Sequence, residues 1–207
     1  MASADSSRPH AAARPQGRVR WRRFALMLVP ALGAAGALIG LTASGVLASS
    51  ISVSGQAFTV KASQLQGTGF AQYGSVLPTA AGPKPVAVSV IQGADLTDLC
   101  QSVTSPTPVG DVTLRLTAGD NGTAAHADNM VVAADHLSGD ATFHGIVIGQ
   151  DAGKLGVGSG TVPAPQPGGF GQMAGDVTIN NLDQNTWLTT AGTFSLPNLS
   201  LSFGKPC

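Results

Sequence analysis

Three histidines and three aspartates lie close together in the sequence and are its first candidates for chemistry: His126, Asp128, Asp135, His136, Asp140 and His144. Imidazole and carboxylate groups can hold a metal ion or act together as an acid–base pair. No H-E-x-x-H motif or other metal-ligand spacing connects them, and a strand sends successive side chains to opposite faces. We therefore interpret them as separate surface groups beside turns.

The stretch Gly156-Val-Gly-Ser-Gly160 comes nearest to the G-x-S-x-G nucleophile elbow of serine esterases. That motif needs glycine two positions before the serine, whereas Val157 stands two before Ser159. The surrounding sequence is rich in Gly and Pro and lacks the strand-to-helix turn that an elbow requires. We predict no catalytic, cofactor-binding or metal-binding residue in the chain, and we do not expect an enzyme.

Two further patterns are interpreted structurally. Gly119-Asp-Asn-Gly122 is predicted to be a hairpin turn, because it lacks the alternating oxygen ligands and closing Glu of a calcium loop. The aromatic residues at strand-like spacing are expected to pack in the core rather than form a sugar-binding platform; they are Phe58, Phe70, Tyr73, Phe143, Trp187, Phe194 and Phe203. Phe170, in a Gly-rich stretch, is expected to be an exposed contact.

The chain has two cysteines, Cys100 and the terminal Cys207. In an oxidising compartment the simplest interpretation is one disulfide that ties the C-terminus to the middle of the domain. The alternatives are two free thiols, or a bond from Cys207 to another chain.

The segment Phe24–Ala48 has no charged side chain and follows Arg18, Arg20, Arg22 and Arg23. A charge-free run of this length with arginines on one side is typical of a membrane-targeting segment. It is either a retained transmembrane anchor or a signal cleaved after Ala48, since Val46-Leu-Ala48 fits a cleavage site. Residues 1–23 are predicted to be a disordered basic cytoplasmic tail, and residues 49–207 an exported domain.

This division predicts the location and partners of the domain. It lies outside the cytoplasm, either held at the cell membrane or secreted. Residues 49–207 carry five basic and ten acidic residues, a formal charge of −5, so nucleic acid is not an expected partner. The expected partners are the membrane through residues 24–48, and a lipid or an envelope protein.

Composition predicts an all-β fold for the exported domain. The chain has no Glu, and residues 49–207 are rich in Thr, Val, Ser and Gly, which disfavours long helices. Short alternating runs recur every 8–15 residues or so, a spacing typical of a β-sandwich. A weak echo between residues 58–70 and 130–143 fits a β-solenoid instead. Residues 74–85, 105–110 and 149–176 are predicted to be loops because of their prolines and glycines.

Several stretches resemble a known family: Arg20-Trp-Arg-Arg-Phe24, Gly67-Thr-Gly-Phe-Ala-Gln-Tyr-Gly74, Leu99-Cys-Gln-Ser-Val103, Gly110-Asp-Val-Thr-Leu-Arg-Leu116 and Ala191-Gly-Thr-Phe194. Over nearly its full length the chain is similar to uncharacterised envelope proteins of about this size from filamentous actinobacteria. The resemblance implies a domain of unknown function in the cell envelope. Some members carry an automatic label of cholesterol esterase, and the missing nucleophile elbow argues against that chemistry here.

Three functions are therefore open. The leading hypothesis is a non-enzymatic, membrane-associated or secreted envelope protein with a structural or binding role. The second is a carrier of lipid or another apolar ligand, which would be favoured by an enclosed apolar cavity of several hundred Å³. The third is an esterase with an unfamiliar site.

Overall fold

The computed structural model describes residues 53–157 and 163–207, and in these ranges the chain is almost entirely β-strand. The strands are β1 (Phe58–Thr79), β2 (Gly82–Thr97), β3 (Leu99–Thr107), β4 (Gly110–Ala118), β5 (Ala125–His144), β6 (Val147–Asp151), β7 (Phe170–Thr190), β8 (Thr193–Ser195) and β9 (Ser200–Phe203), with a 3-10 helix at Ala152–Lys154. The predicted all-β class is confirmed. No helix in the described ranges is long and apolar enough to cross a membrane. The segments predicted at 1–23 and 24–48 lie outside those ranges.

The four longest strands pair in a closed ring. Strand β1 pairs with β2 on one edge and with β7 on the other, and β5 pairs with both β2 and β7. All four pairings are antiparallel. The ring brings together residues that are far apart in sequence, such as Phe58 and Thr186, which are register partners.

The shorter strands extend this ring into a single sheet. Strand β3 pairs with the start of β1, β4 with β3, and β9 with β4, while β6 pairs with β7 and β8 with β5. The described strands thus form one nine-stranded antiparallel sheet. Both predicted architectures differ from this arrangement, because a sandwich has two sheets and a solenoid stacks repeated coils. The echo between residues 58–70 and 130–143 does not mark repeated coils, since Leu65 is buried while Leu137 is exposed.

The main hydrophobic core lies inside the ring. Its members come from all four ring strands and include Leu65, Ile91, Met130, Val132 and Ile179. Phe70 and Phe143 add an aromatic contact with ring centroids 5.3 Å apart. The interior of the ring is therefore filled by side chains.

A second cluster lies on the outer face of the same strands. Val131 and Ala133 belong to it, whereas Met130, Val132 and Ala134 belong to the inner core, so this part of β5 is buried on both faces. Ala152 and Leu155, from the connection between β6 and β7, cover the outer cluster. A long connection thus acts as a second layer of the fold.

Two asparagines in the left-handed conformation allow β5 and β7 to keep the same face towards the inner core on both sides of them. Asn129 has φ 49° and stands between Ala127 and Met130, both members of the inner core. Asn181, with φ 54°, stands likewise between Ile179 and Leu182. These core residues are an odd number of positions apart, which strict alternation does not allow on one face. Each left-handed residue therefore shifts the alternation by one position.

The structure corrects the predicted loops. Residues 74–85 form the β1–β2 hairpin, with Pro78 opposite Pro83, and most of residues 105–110 belong to the β3–β4 hairpin. In 149–176, β6 continues to Asp151 and β7 begins at Phe170. A turn does occur at residues 121–122, but it joins β4 to β5, which are not register partners in the described sheet.

Candidate functional site

Among the histidines that the structure describes, His126 has the most complete set of partners. It lies directly opposite Asp95 in the β2–β5 pairing, and its Nδ1 is 2.7 Å from Asp95 Oδ1. Its Nε2 is 3.3 Å from Asp128 Oδ1. The two carboxylates therefore contact opposite edges of one imidazole ring. All three side chains are about half exposed.

This arrangement favours the protonated histidine. The hydrogen bond to Asp95, with a smaller contribution from Asp128, raises the pKa of His126 above its usual 6.5. In the imidazolium form both ring nitrogens donate, one to each carboxylate. Each ring nitrogen of His126 already faces its own carboxylate. The trio of His126, Asp95 and Asp128 is therefore suited to holding a proton on the imidazole rather than a metal ion.

The other predicted candidates are dispersed over the surface. Asp135 accepts hydrogen bonds from Asn185 Nδ2 and Trp187 Nε1, each at 2.7 Å. Asp140 accepts one from Asn181 at 3.0 Å. His136 and His144 are exposed on β5. Of the six candidate His and Asp residues, only His126 and Asp128 therefore contact each other. Asp95 joins them from strand β2, and the sequence analysis missed it because it is distant in the sequence.

The described residues hold no group of three or more His, Cys, Asp or Glu side chains arranged for a metal ion. Ser159 lies in 158–162, outside the described residues. Phe170 is 63% exposed, as expected, and its role as a contact stays a prediction.

Cys100 and Cys207 are joined as predicted, with their Sγ atoms 2.08 Å apart. The backbone N–H of Cys207 donates to Ser102 Oγ at 3.0 Å, and Arg115 Nε lies 3.2 Å from Cys100 Sγ. The bond fixes the chain end beside β3 and β4, close to strand β9. It therefore also restrains an outer strand of the sheet.

The connection between β6 and β7 is tied down by polar groups. Asp151 Oδ1 accepts from the backbone N–H groups of Gly168 and Gly153, at 2.8 and 2.9 Å. These bonds, Gly168 first, lower the pKa of Asp151. The Tyr73 hydroxyl donates to the Pro163 carbonyl at 2.7 Å, and burial raises the pKa of Tyr73 to about 12. The connection between β6 and β7 is therefore held over the outer cluster both before and after residues 158–162, which lie outside the described ranges.

The interior of the ring leaves little free space. Its apolar cavity has a volume of about 30 Å³, close to the volume of one water molecule. Binding pockets for small molecules are typically about 300–1,000 Å³. The interior alone is therefore too full to enclose a lipid.

A larger apolar groove lies between two walls of the sheet. One wall is formed by β3 and β4 and the other by β7, β8 and the residues that follow each of these two strands, while β1, which pairs with both β3 and β7, lies between the walls. The main apolar lining residues are Phe58, Leu116, Trp187, Leu188, Phe194 and Leu196. The volume of this groove, which we call the Trp187 groove, is about 450 Å³. Gln101, Thr189 and Phe194 line both the groove and the interior cavity. The groove therefore adjoins the apolar interior.

An apolar sheet face extends from one wall of this groove. Leu116 lies opposite Leu201, and Leu114 opposite Phe203, in the β4–β9 pairing. Leu201 is 58% exposed and Phe203 is 73% exposed. We call these four residues the β4–β9 apolar face. The expectation that the aromatic residues pack in the core is thus correct for Phe70 and Tyr73 but wrong for Phe203.

Sequence reasoning missed the groove because five strands and two connections contribute to it. The only local signal was the alternation Leu199-Ser-Leu-Ser-Phe203, which shows a two-faced strand but not whether its apolar face is covered. Trp187 was expected in the core because it is aromatic and lies in a strand. In the structure it is partly buried against the outer cluster and also lines the groove.

Comparison with known proteins places the chain at the level of a family. No curated protein and no solved structure matches it. A family model described as a family of unknown function (DUF6230) matches residues 54–207, well over half of the sequence and nearly all of the part that the structure describes. The chain therefore belongs to the family of unknown function DUF6230.

Proposed function

We propose that this protein is a non-enzymatic binding protein of the cell envelope. Residues 24–48 target it to the membrane, as a retained anchor or a cleaved signal, and the all-β domain acts outside the cytoplasm. The observation that supports a binding role is the β4–β9 apolar face beside the Trp187 groove. Exposed apolar surfaces on soluble domains mark sites of contact with proteins, membranes or ligands.

Export is supported by two independent features. The segment Phe24–Ala48 is free of charge and follows four arginines, which is typical of a targeting segment. The Cys100–Cys207 bond is consistent with an oxidising compartment. Closure of the ring and the disulfide would both help a small domain to remain folded outside the cytoplasm.

The second candidate function is a lipid carrier, and only an open version of it has support. A carrier that encloses its ligand needs more room than the 30 Å³ inside the ring. The Trp187 groove has sufficient volume but is open to solvent, so it would shelter part of a ligand rather than enclose it. The esterase alternative gains no support from the described residues, where the hydrogen bonds of His126 go to Asp95 and Asp128 and not to a Ser or Thr hydroxyl.

The proposal is tested by fractionating producing cells and measuring the unreduced intact mass in membrane and medium. A full-length mass in the membrane supports an anchored domain, and a mass beginning at Ser49 in the medium supports a secreted one. In either case the mass should be lower than that of the reduced chain by the two hydrogens that a disulfide lacks. Full-length, reduced protein in the cytosolic fraction alone would contradict the proposal.

A further inference from the structure

We infer that the Trp187 groove binds the aliphatic chain of a lipid. This inference deepens the proposed binding role and rests on it. None of the described residues that line the groove is charged, and the side-chain polar groups there are those of Gln101, Thr189 and Trp187. A lining of this type gains free energy by removing hydrocarbon from water. The charged side chains that contact Trp187 are Lys84, whose Nζ lies 5.0 Å from the ring centroid, and Asp135, which accepts from Nε1.

The polar groups of the groove favour hydrocarbon over a peptide. A peptide brings an N–H and a C=O group for each residue, and each of these needs a partner when it is buried. The Trp187 Nε1–H is already donated to Asp135 Oδ2 at 2.7 Å. Strand β4, on one wall, lies between β3 and β9 and pairs its backbone with both. The Trp187 indole and the β4 backbone are therefore already engaged and do not remain to satisfy a peptide, whereas an aliphatic chain needs no such partner.

The shape of the groove also fits a single chain. It is open to solvent, and Gln101, Thr189 and Phe194 line both the groove and the narrow interior cavity. The groove volume of about 450 Å³ lies within the range of small-molecule pockets, so a linear hydrocarbon chain fits there without entering the interior. The rest of the ligand would lie over the β4–β9 apolar face, where Leu201 borders the groove residue Leu116.

The groove contains its own reporter. The chain has two tryptophans, Trp21 and Trp187, so Trp21→Phe leaves Trp187 as the only one. The experiment titrates this full-length protein with a nitroxide-labelled fatty acid and measures quenching of Trp187 fluorescence. Unlabelled n-alkanols of increasing length then compete, which separates the effect of the chain from that of the charged head group.

Saturable quenching is expected, with competition that strengthens about fourfold for each added methylene, since burying one contributes about 0.8 kcal/mol. The gain should stop once the chain fills the groove. Adding Phe194→Asp should weaken binding about tenfold or more, because it places a charge against the hydrocarbon. Leu116→Asp, on the opposite wall, should do the same. The matched control is Ile148→Asp on β6, which changes an exposed residue outside the groove and should leave binding unchanged.

Three results would overturn the inference: no quenching of Trp187, competition that does not depend on chain length, or equal binding by the Phe194→Asp, Leu116→Asp and Ile148→Asp proteins. Retention of the disulfide in the intact mass and an unchanged far-ultraviolet spectrum establish that each variant is folded. A negative result here would leave the proposed export untouched, because that rests on the fractionation and mass measurement.

Discussion

Individual polar side chains hold together parts of this domain that are distant in sequence. Tyr73 reaches from β1 to the carbonyl of Pro163, and Asp151 holds Gly153 and Gly168 at the two ends of one connection. Each of these bonds uses a backbone group that would otherwise depend on water. The connection between β6 and β7 is therefore fixed by specific bonds as well as by apolar packing.

Tyr73→Phe removes the hydroxyl that satisfies the Pro163 carbonyl. Tyr73 is 2% exposed, so this loss should lower the free energy of unfolding by about 1–2 kcal/mol. Chemical denaturation of the two proteins measures the difference. An unchanged midpoint would show that Pro163 is satisfied in another way.

The same tyrosine predicts a pH dependence. Its folded pKa of about 12 exceeds the ordinary value of 10.0, so the protonated hydroxyl favours the folded state at all pH values below about 10. That contribution is lost as the pH rises from about 10 through about 12. Tyr73 is the only tyrosine in the chain, so phenolate absorbance follows its ionisation directly. Ionisation near pH 10 while the protein remains folded would contradict this assignment.

His126 should respond to its carboxylate neighbours. Asp95→Asn should lower the pKa of His126 towards its usual value, because the larger of the two stabilising hydrogen bonds loses its charge. In the native protein the raised pKa stabilises the fold fully below about pH 6.5, and this contribution disappears as the pH rises through the folded pKa. An NMR titration of the imidazole measures the shift, with His136 as an internal control. An unchanged His126 pKa would exclude Asp95 as the main cause.

Among the strands, the left-handed residues determine which face is buried. Asn181→Ala should lower the free energy of unfolding by about 1–2 kcal/mol, because alanine disfavours φ 54°. Asn181→Gly is the matched control, since it loses the same hydrogen bond to Asp140 but tolerates the conformation. Equal destabilisation of the two variants in chemical denaturation would assign the effect to the lost hydrogen bond instead.

These residues also explain how far the strands could be predicted. The all-β class followed from the recurrence of short alternating runs and from the lack of Glu. Their lengths did not, because Asn129 and Asn181 interrupt the alternation and so mimic the ends of short strands. The prolines at 78 and 83 similarly indicated a loop, although they face each other in a hairpin.

In the whole molecule, one closed ring and one disulfide limit the freedom of the chain. The Cys100–Cys207 pair could be predicted because the chain offers only two cysteines. Ring closure could not, since partners such as Phe58 and Thr186 are far apart and leave no local pattern. The Trp187 groove depends on this closure and was hidden from the sequence for the same reason.

Removal of the disulfide should therefore affect the whole fold. Its two cysteines are separated by 107 residues, and opening a loop of this length should lower the free energy of unfolding by about 4–5 kcal/mol in the chain-entropy model. Replacing both Cys100 and Cys207 with serine in the Trp21→Phe protein, followed by chemical denaturation monitored through Trp187, tests this. If the free energy of unfolding falls by less than about 1 kcal/mol, the disulfide does little to restrict the unfolded chain, contrary to the prediction.

The most direct test of the central claim, that the domain binds lipid through its apolar groove, is native mass spectrometry of the full-length protein purified from producing cells. We expect an added mass of lipid size on the native protein and on Ile148→Asp, and its loss from Phe194→Asp. A native protein without any such adduct, or an adduct that persists equally in Phe194→Asp, would contradict the claim.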